Sequence, residues 1–334
     1  MQKIALHKKI ALLALIVAAF LLPTFFQAIG YRIGIFVACM AFLYIIAVSG
    51  VDIVFGYSGQ ITIGHAAFFA IGAYGSAIMH NYLSIPAVFT MLIASAVAAG
   101  VGALLAYPAS KLVFHFLALA TVAFGEIIHQ IITASPGEIT GNFRGMFSGP
   151  VSFFGFPLNN NQRFYYFGLI CVILFLLVKY FIFRSKVGRA FIAIRENTRA
   201  ADGMGINVRK YKIMAFSVSA FYTAFGGAMF THFVRYISPE TFTIQQSIMF
   251  LIMLLFGGTA TILGPVVGVV SVLMLQEAIR PLQEYQAFIF GVMMLLVIVI
   301  IPGGLWGFLQ RIWQKLIAIV VPKPKKEGEQ DAKS

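Results

Sequence analysis

Apolar runs long enough to cross a bilayer recur along this chain, and they constrain its fold more than any motif does. Between polar or Gly/Pro breaks, ten candidate segments stand at about 8–29, 32–50, 60–79, 86–107, 112–134, 164–183, 213–233, 244–257, 262–279 and 286–301. Most are near the length of roughly 20 helical residues that a hydrocarbon core of about 30 Å requires. With 60% hydrophobic residues, 10% charged ones and a mean hydropathy of +0.92, the composition excludes a water-soluble globule. The expected class is all-α: a polytopic helical membrane protein of about ten transmembrane segments.

Charge distribution orients these segments. Ten of the 35 charged side chains fall in the 29 residues from Arg184 to Lys212, RSKVGRAFIAIRENTRAADGMGINVRKYK, between two long apolar runs. This island belongs outside the membrane. With the N-terminus inside, the inner loops hold 18 Lys and Arg and the outer loops five, Arg32, Arg144, Arg163, Arg235 and Arg280. That bias predicts both termini to be cytoplasmic, with an even number of spans. The remaining cation, Lys179, is expected to snorkel from an inner helix end. The net charge of +13 is thereby explained by orientation, not by nucleic-acid binding.

The domain plan is a single transmembrane domain over residues 1–310, with a cytoplasmic loop at 184–212 and an extracytoplasmic loop at 135–163. A basic cytoplasmic tail at 311–334 is expected to be disordered, its lysines able to touch anionic lipid. The outer loop carries five glycines, three prolines and three consecutive asparagines, which describes a folded or partly ordered surface loop, either an ordinary long connection or a landing site for a soluble partner. The basic, apolar start resembles a signal peptide but lacks a small-residue cleavage site, so an uncleaved first span is expected.

Two glycine clusters interrupt the apolar pattern. GYSGQITIGHAAFFAIGAYG places Gly56, Gly59, Gly64, Gly72 and Gly75 in and around one span, and FGGTATILGPVVG combines Gly257, Gly258, Gly264 and Gly268 with Pro265. Such spacing serves close helix packing or a helix broken at membrane depth. Ser58, Gln60, Thr62 and His65 are expected to face protein or a water-filled cavity. Five spans on either side of the outer loop would relate the two halves by inversion.

Catalytic and metal patterns are scarce. Glu126 and His129 share a helix face, but a di-iron carboxylate bundle needs a second Glu-x-x-His, and none is present. No metal site and no catalytic residue is expected. Glu126 reads as a hydrogen-bonded acid at the bundle interior or near an interface, with a role in gating open to it. There is no P-loop, nucleophile elbow or zinc-protease motif, so any ATP that drives transport must be hydrolysed on another subunit. Cys39 and Cys171 read as buried free thiols. The competing classes are an ion-coupled secondary transporter or channel, with Glu126 carrying protons, and an integral membrane enzyme. Acids near membrane depth (Asp52, Glu126, Glu277, Glu284) are sparse for the former.

Within the island, Phe191, Ile194, Thr198, Ala201 and Met204 recur at helical spacing and give a short helix one weakly apolar face. Asn197 is placed to cap its second turn and Gly205 to end it. Small side chains at Ala200 and Ala201 admit a partner surface, with Arg195, Glu196, Arg199 and Asp202 on the rim.

Taken together, SGQITIGHAAFFAIGAY (58–74), LALATVAFGEII (117–128), the island with its flank (187–221), YISPETFTIQQSI (236–248), FGGTATILGPVVG (256–268) and IPGGLWG (301–307) closely resemble permease subunits of bacterial ABC importers for branched-chain amino acids, of the LivM type. The resemblance covers residues 35–305. It implies a non-catalytic, cofactor-free subunit of the bacterial inner membrane. Its implied partners are a homologous second permease, two ATPase subunits and an extracytoplasmic binding protein. The island is then the coupling loop that enters a cleft of the ATPase, with Ile194, Arg195, Glu196, Ala200, Ala201 and Gly205 as its contact residues. Gly59, Gln60, Thr62, Gly64, His65, Thr121, Glu126, Gly257 and Gly258 are the candidate translocation path. Arg199 stands where the wider ABC permease motif has Glu, and Asn142, Phe256 and Thr259–Thr261 depart from the usual pattern. Related permeases carry urea or short amides, which is the alternative cargo.

Overall fold

A computed structural model describes residues 20, 22–24, 32–110, 114–149, 152–153, 156–157, 160–285, 288–292, 295 and 303–320. Most of the first and last expected spans lie outside these residues. The others appear as helices: α1 (Arg32–Asp52), α2 (His65–Leu83), α3 (Ala87–Ala109), α4 (Phe114–Ala134), α5 (Asn161–Arg184), the island helices α6 (Lys186–Glu196) and α7 (Thr198–Gly203), then α8 (Val208–Val234), α9 (Ile244–Gly257), α10 (Gly264–Ala278) and α11 (Gly304–Val320). Among the described residues five helices are long and apolar enough to cross a membrane, and α9 and α10 are shorter apolar helices.

The bundle is organised around α8. Helices α8 and α1 are mostly buried and α4 is mostly exposed, which makes α8 and α1 central and α4 peripheral. In lipid, helices associate by close packing, not by expulsion of water, and small residues set how near they come. Gly72 of α2 lies against the backbone of Ala224, and Gly227 of α8 against the backbone of Phe69. Aromatic rings fill the space beyond: Phe69 meets Phe230, Phe242 and Phe250 with centroids 5.6, 5.8 and 5.3 Å apart. Each such pair contributes about 0.5–1.5 kcal/mol beyond burial.

Both glycine clusters break their helices. After α1 the chain makes a π-helical turn at Ile53–Tyr57, runs without helix through residues 58–64, and resumes at His65. The second break separates Gly257 from Gly264, and α9 and α10 pack on one another across it, with Gly257 against the backbones of Gly264 and Gly268. Interruption and close packing, the two readings the spacing allows, therefore hold together.

The described residues of the 135–163 loop are folded. Strand β1 (Met146–Phe147) pairs antiparallel with Tyr236–Ile237, which follows α8, and Ser152–Phe153 pairs with Phe156–Pro157. Asn81, at the end of α2, donates to Phe147 O at 2.7 Å and accepts from Gly149 N at 3.2 Å. At the other end, α11 carries helix ten residues into the segment read as a disordered tail. The spacing of Leu305, Leu309 and Ile312 along GLWGFLQRIWQKLIAIV accounts for it, because it gives a helix one apolar face.

Candidate functional site

The island is held by side-chain caps. Ser185 Oγ accepts from Val187 N at 3.1 Å, Asn197 Oδ1 accepts from Arg199 N and Ala200 N at 3.0 Å each, and Asn207 Oδ1 accepts from Lys210 N at 3.0 Å. Asn197 therefore starts a second helix and does not cap a turn within one. Its extended backbone (φ −156°, ψ 106°) ends α6, and its carboxamide captures the free N–H groups that open α7. Gly205, at φ +80°, turns the chain out of α7.

This break decides which island residues face outward. Phe191, Ile194 and Ala201 are buried within the chain, whereas Arg195, Glu196, Thr198, Arg199, Ala200, Asp202, Met204 and Gly205 are exposed. The expected apolar stripe thus loses Thr198 and Met204 to the surface. Ala201 is small because the chain's own packing demands it, and it is not available to a partner.

The island is braced on the first glycine break. Gly59 has φ +67°, and a Cβ there would stand 3.0 Å from Arg195 Cγ, so the turn and α6 are in direct apposition. Every polar residue of the break is buried by protein. Gln60 Nε2 donates to Ser58 Oγ at 2.7 Å, and Thr121 Oγ1 accepts from Ile63 N at 3.2 Å. Thr62 is buried, and Gly64 abuts the backbone of Thr121. Ser219 donates to Gly50 O at 2.7 Å, which leaves His65 Nε2 as donor to Ser219 Oγ at 2.7 Å. Ser247, from α9, accepts from Ala66 N at 2.8 Å and ties α9 to the start of α2.

The two breaks meet at a buried ion pair. Lys179 Nζ donates to Asp52 Oδ2 at 2.7 Å and to Thr261 O at 3.2 Å, while Asp52 Oδ1 accepts from Ala260 N at 2.7 Å. Both charged side chains are completely buried, so the expectation that Lys179 snorkels is corrected: α5 turns it inward onto α1. The pattern offered one signal for this contact, a lone lysine and a lone aspartate each inside an apolar run.

Glu126 lies apart from this core. It is exposed, receives a 3.2 Å hydrogen bond from Gln130, and lines a cavity of about 340 Å³ between α4 and residues 242–247. His129, Gln245 and Ser247 share that cavity, and so do Ile63, Val122 and Phe242. The structure thus brings Gly59 to His65 and Thr121 together, places Gly257 and Gly258 at the second break, and sets Glu126 on a separate face. Among the described residues, no group of three or more His, Cys, Asp or Glu is gathered as for a metal ion.

A polytopic helical bundle with two interrupted helices and a polar surface island braced against one of them is the architecture of an integral membrane protein. The chain belongs to the family of branched-chain amino acid transport system permease components, which it matches over residues 33–298. It is 30% identical over 322 residues to the high-affinity branched-chain amino acid transport system permease protein LivM of Escherichia coli K12, covering 89% of this chain and 75% of that one. A probable branched-chain amino acid transport permease protein LivM of Methanocaldococcus jannaschii is 23% identical, covering 65% and 67%. The autoinducer 2 import system permease protein LsrC of Salmonella choleraesuis is 27% identical over 43% and 44%. No solved structure matches the chain.

Proposed function

We propose that this chain is the non-catalytic membrane subunit of an ATP-driven importer that carries leucine, isoleucine and valine across a bacterial inner membrane. It works with a homologous second permease, two ATPase subunits and an extracytoplasmic binding protein, and binds no cofactor itself. The observation that carries the reading is the apposition of Arg195, on the exposed island, with Gly59, in the broken helix. A partner that moves the island moves the first break with it, and ATP-driven closure of the ATPases then switches access between the two sides. The candidate path follows the breaks at 56–64 and 257–264 with Thr121 and Glu126. The folded outer loop, with Phe143 and Phe147 exposed, suits contact with the binding protein.

The test is uptake of labelled leucine into proteoliposomes holding the complex purified through this chain, with ATP inside and binding protein outside. Accumulation that requires ATP and is competed by isoleucine and valine supports the reading. Equal uptake without ATP, driven by an ion gradient, overturns it.

A further inference from the structure

We infer that the cavity between α4 and residues 242–247 is a cargo subsite that takes the ammonium group of an aliphatic α-amino acid, with Glu126 as its counter-ion. This inference rests on the importer reading above. Glu126 sits near the middle of the 21-residue apolar helix α4, where a carboxylate facing lipid would be costly, and the cavity it lines offers it a polar setting. Among the described residues no lysine or arginine lines that cavity, and Gln130 is the one hydrogen-bond partner of Glu126. An acid so placed draws a cation from the guest. A second polar atom is open to a partner as well: His129, on the same wall, has its Nδ1 buried with no hydrogen-bond partner among the described residues.

The rest of the lining fits the same guest. Ile63, Val122 and Phe242 supply an apolar wall for a branched side chain, and Gln245 and Ser247 supply hydrogen-bonding groups for its carboxylate. About 340 Å³ falls at the small end of ligand pockets. Ile63 and Ala66 flank the end of the first glycine break, so movement of that break alters the cavity. A neutral cargo such as urea would leave Glu126 without a counter-charge, and the subsite therefore favours amino acids over urea and amides.

The experiment measures binding of tritiated leucine to the assembled membrane complex in lipid nanodiscs, by scintillation proximity, with binding protein and nucleotide left out. Saturable binding competed by leucinamide, which keeps the ammonium group, but not by N-acetyl-leucine or urea, is expected. Glu126→Gln should weaken it at least tenfold and Glu126→Asp less, with subunit composition unchanged on gel filtration. Absence of leucine binding by the parent complex, or equal binding by Glu126→Gln, overturns the subsite. Loss of the second permease from the Glu126→Gln complex also overturns it, in favour of a subunit contact. ATP-driven leucine uptake that persists in any of these cases leaves the importer reading standing, whereas uptake without ATP removes that reading and the subsite with it.

Discussion

Lys179 Nζ lies 2.7 Å from Asp52 Oδ2, with both side chains shut away from solvent, and the pair's further hydrogen bonds to Thr261 O and Ala260 N join α1 and α5 to the second glycine break. Removing one partner of a buried pair strands the other charge and costs about 3–5 kcal/mol, whereas replacing both with uncharged groups is often tolerated. Lys179→Met and Asp52→Asn should each lower the thermal midpoint of the solubilised complex markedly. The double variant should recover most of the loss. Equal and additive losses would show that the two side chains act independently.

Ala200 and Ala201 are adjacent yet should respond in opposite ways. Ala201 is fully buried, so Ala201→Leu overpacks the island by about 1–3 kcal/mol and should reduce the amount of folded protein. Ala200 is exposed, so Ala200→Trp should leave thermal stability within about 0.5 kcal/mol while reducing ATPase recovered with the chain. Stability assays together with quantitative co-purification check both.

Asn197 separates the two helices of the island. Asn197→Ala removes the acceptor for two backbone N–H groups and should destabilise α7 by about 0.5–2 kcal/mol. Hydrogen exchange should quicken at Arg199 and Ala200 and stay unchanged in α8. Unaltered exchange at those amides would remove the cap from the account.

Gly59→Ala forces a Cβ into the left-handed region, at about 1–2 kcal/mol, and against Arg195. ATP hydrolysis should continue while uptake falls. Shortening the opposed side chain in the double variant Gly59→Ala/Arg195→Ala should restore part of the uptake. Undiminished uptake by Gly59→Ala would separate the break from the island.

Helix class and the two breaks are legible in the sequence because each rests on a local property: an apolar run, or glycines among polar residues in such a run. The island's caps are local too, and Asn197 was visible as one. Its consequence was not, since whether a cap starts a new helix or trims an existing one depends on the packing of Phe191, Ile194 and Ala201 against the rest of the chain. Asp52 and Lys179 are 127 residues apart, and only the fold turns α5 to bring them together. Glu126 shows the converse case. Its place among apolar residues marks it as special, yet the sequence does not say whether it faces the interior or a separate cavity. The helix of α11 was hidden by a charged tail that begins just after it.

The island's role as a docking surface is the central claim, and site-directed cross-linking tests it most directly. Cys39 and Cys171 are buried, so a cysteine introduced at Ala200 is the reactive thiol for a photo-activated linker in native membranes. Mass spectrometry of the adducts should find an ATPase subunit cross-linked from position 200 and none from a cysteine at Phe147 in the outer loop. Absence of any ATPase adduct from position 200, in membranes where the chain still transports leucine, would contradict the account.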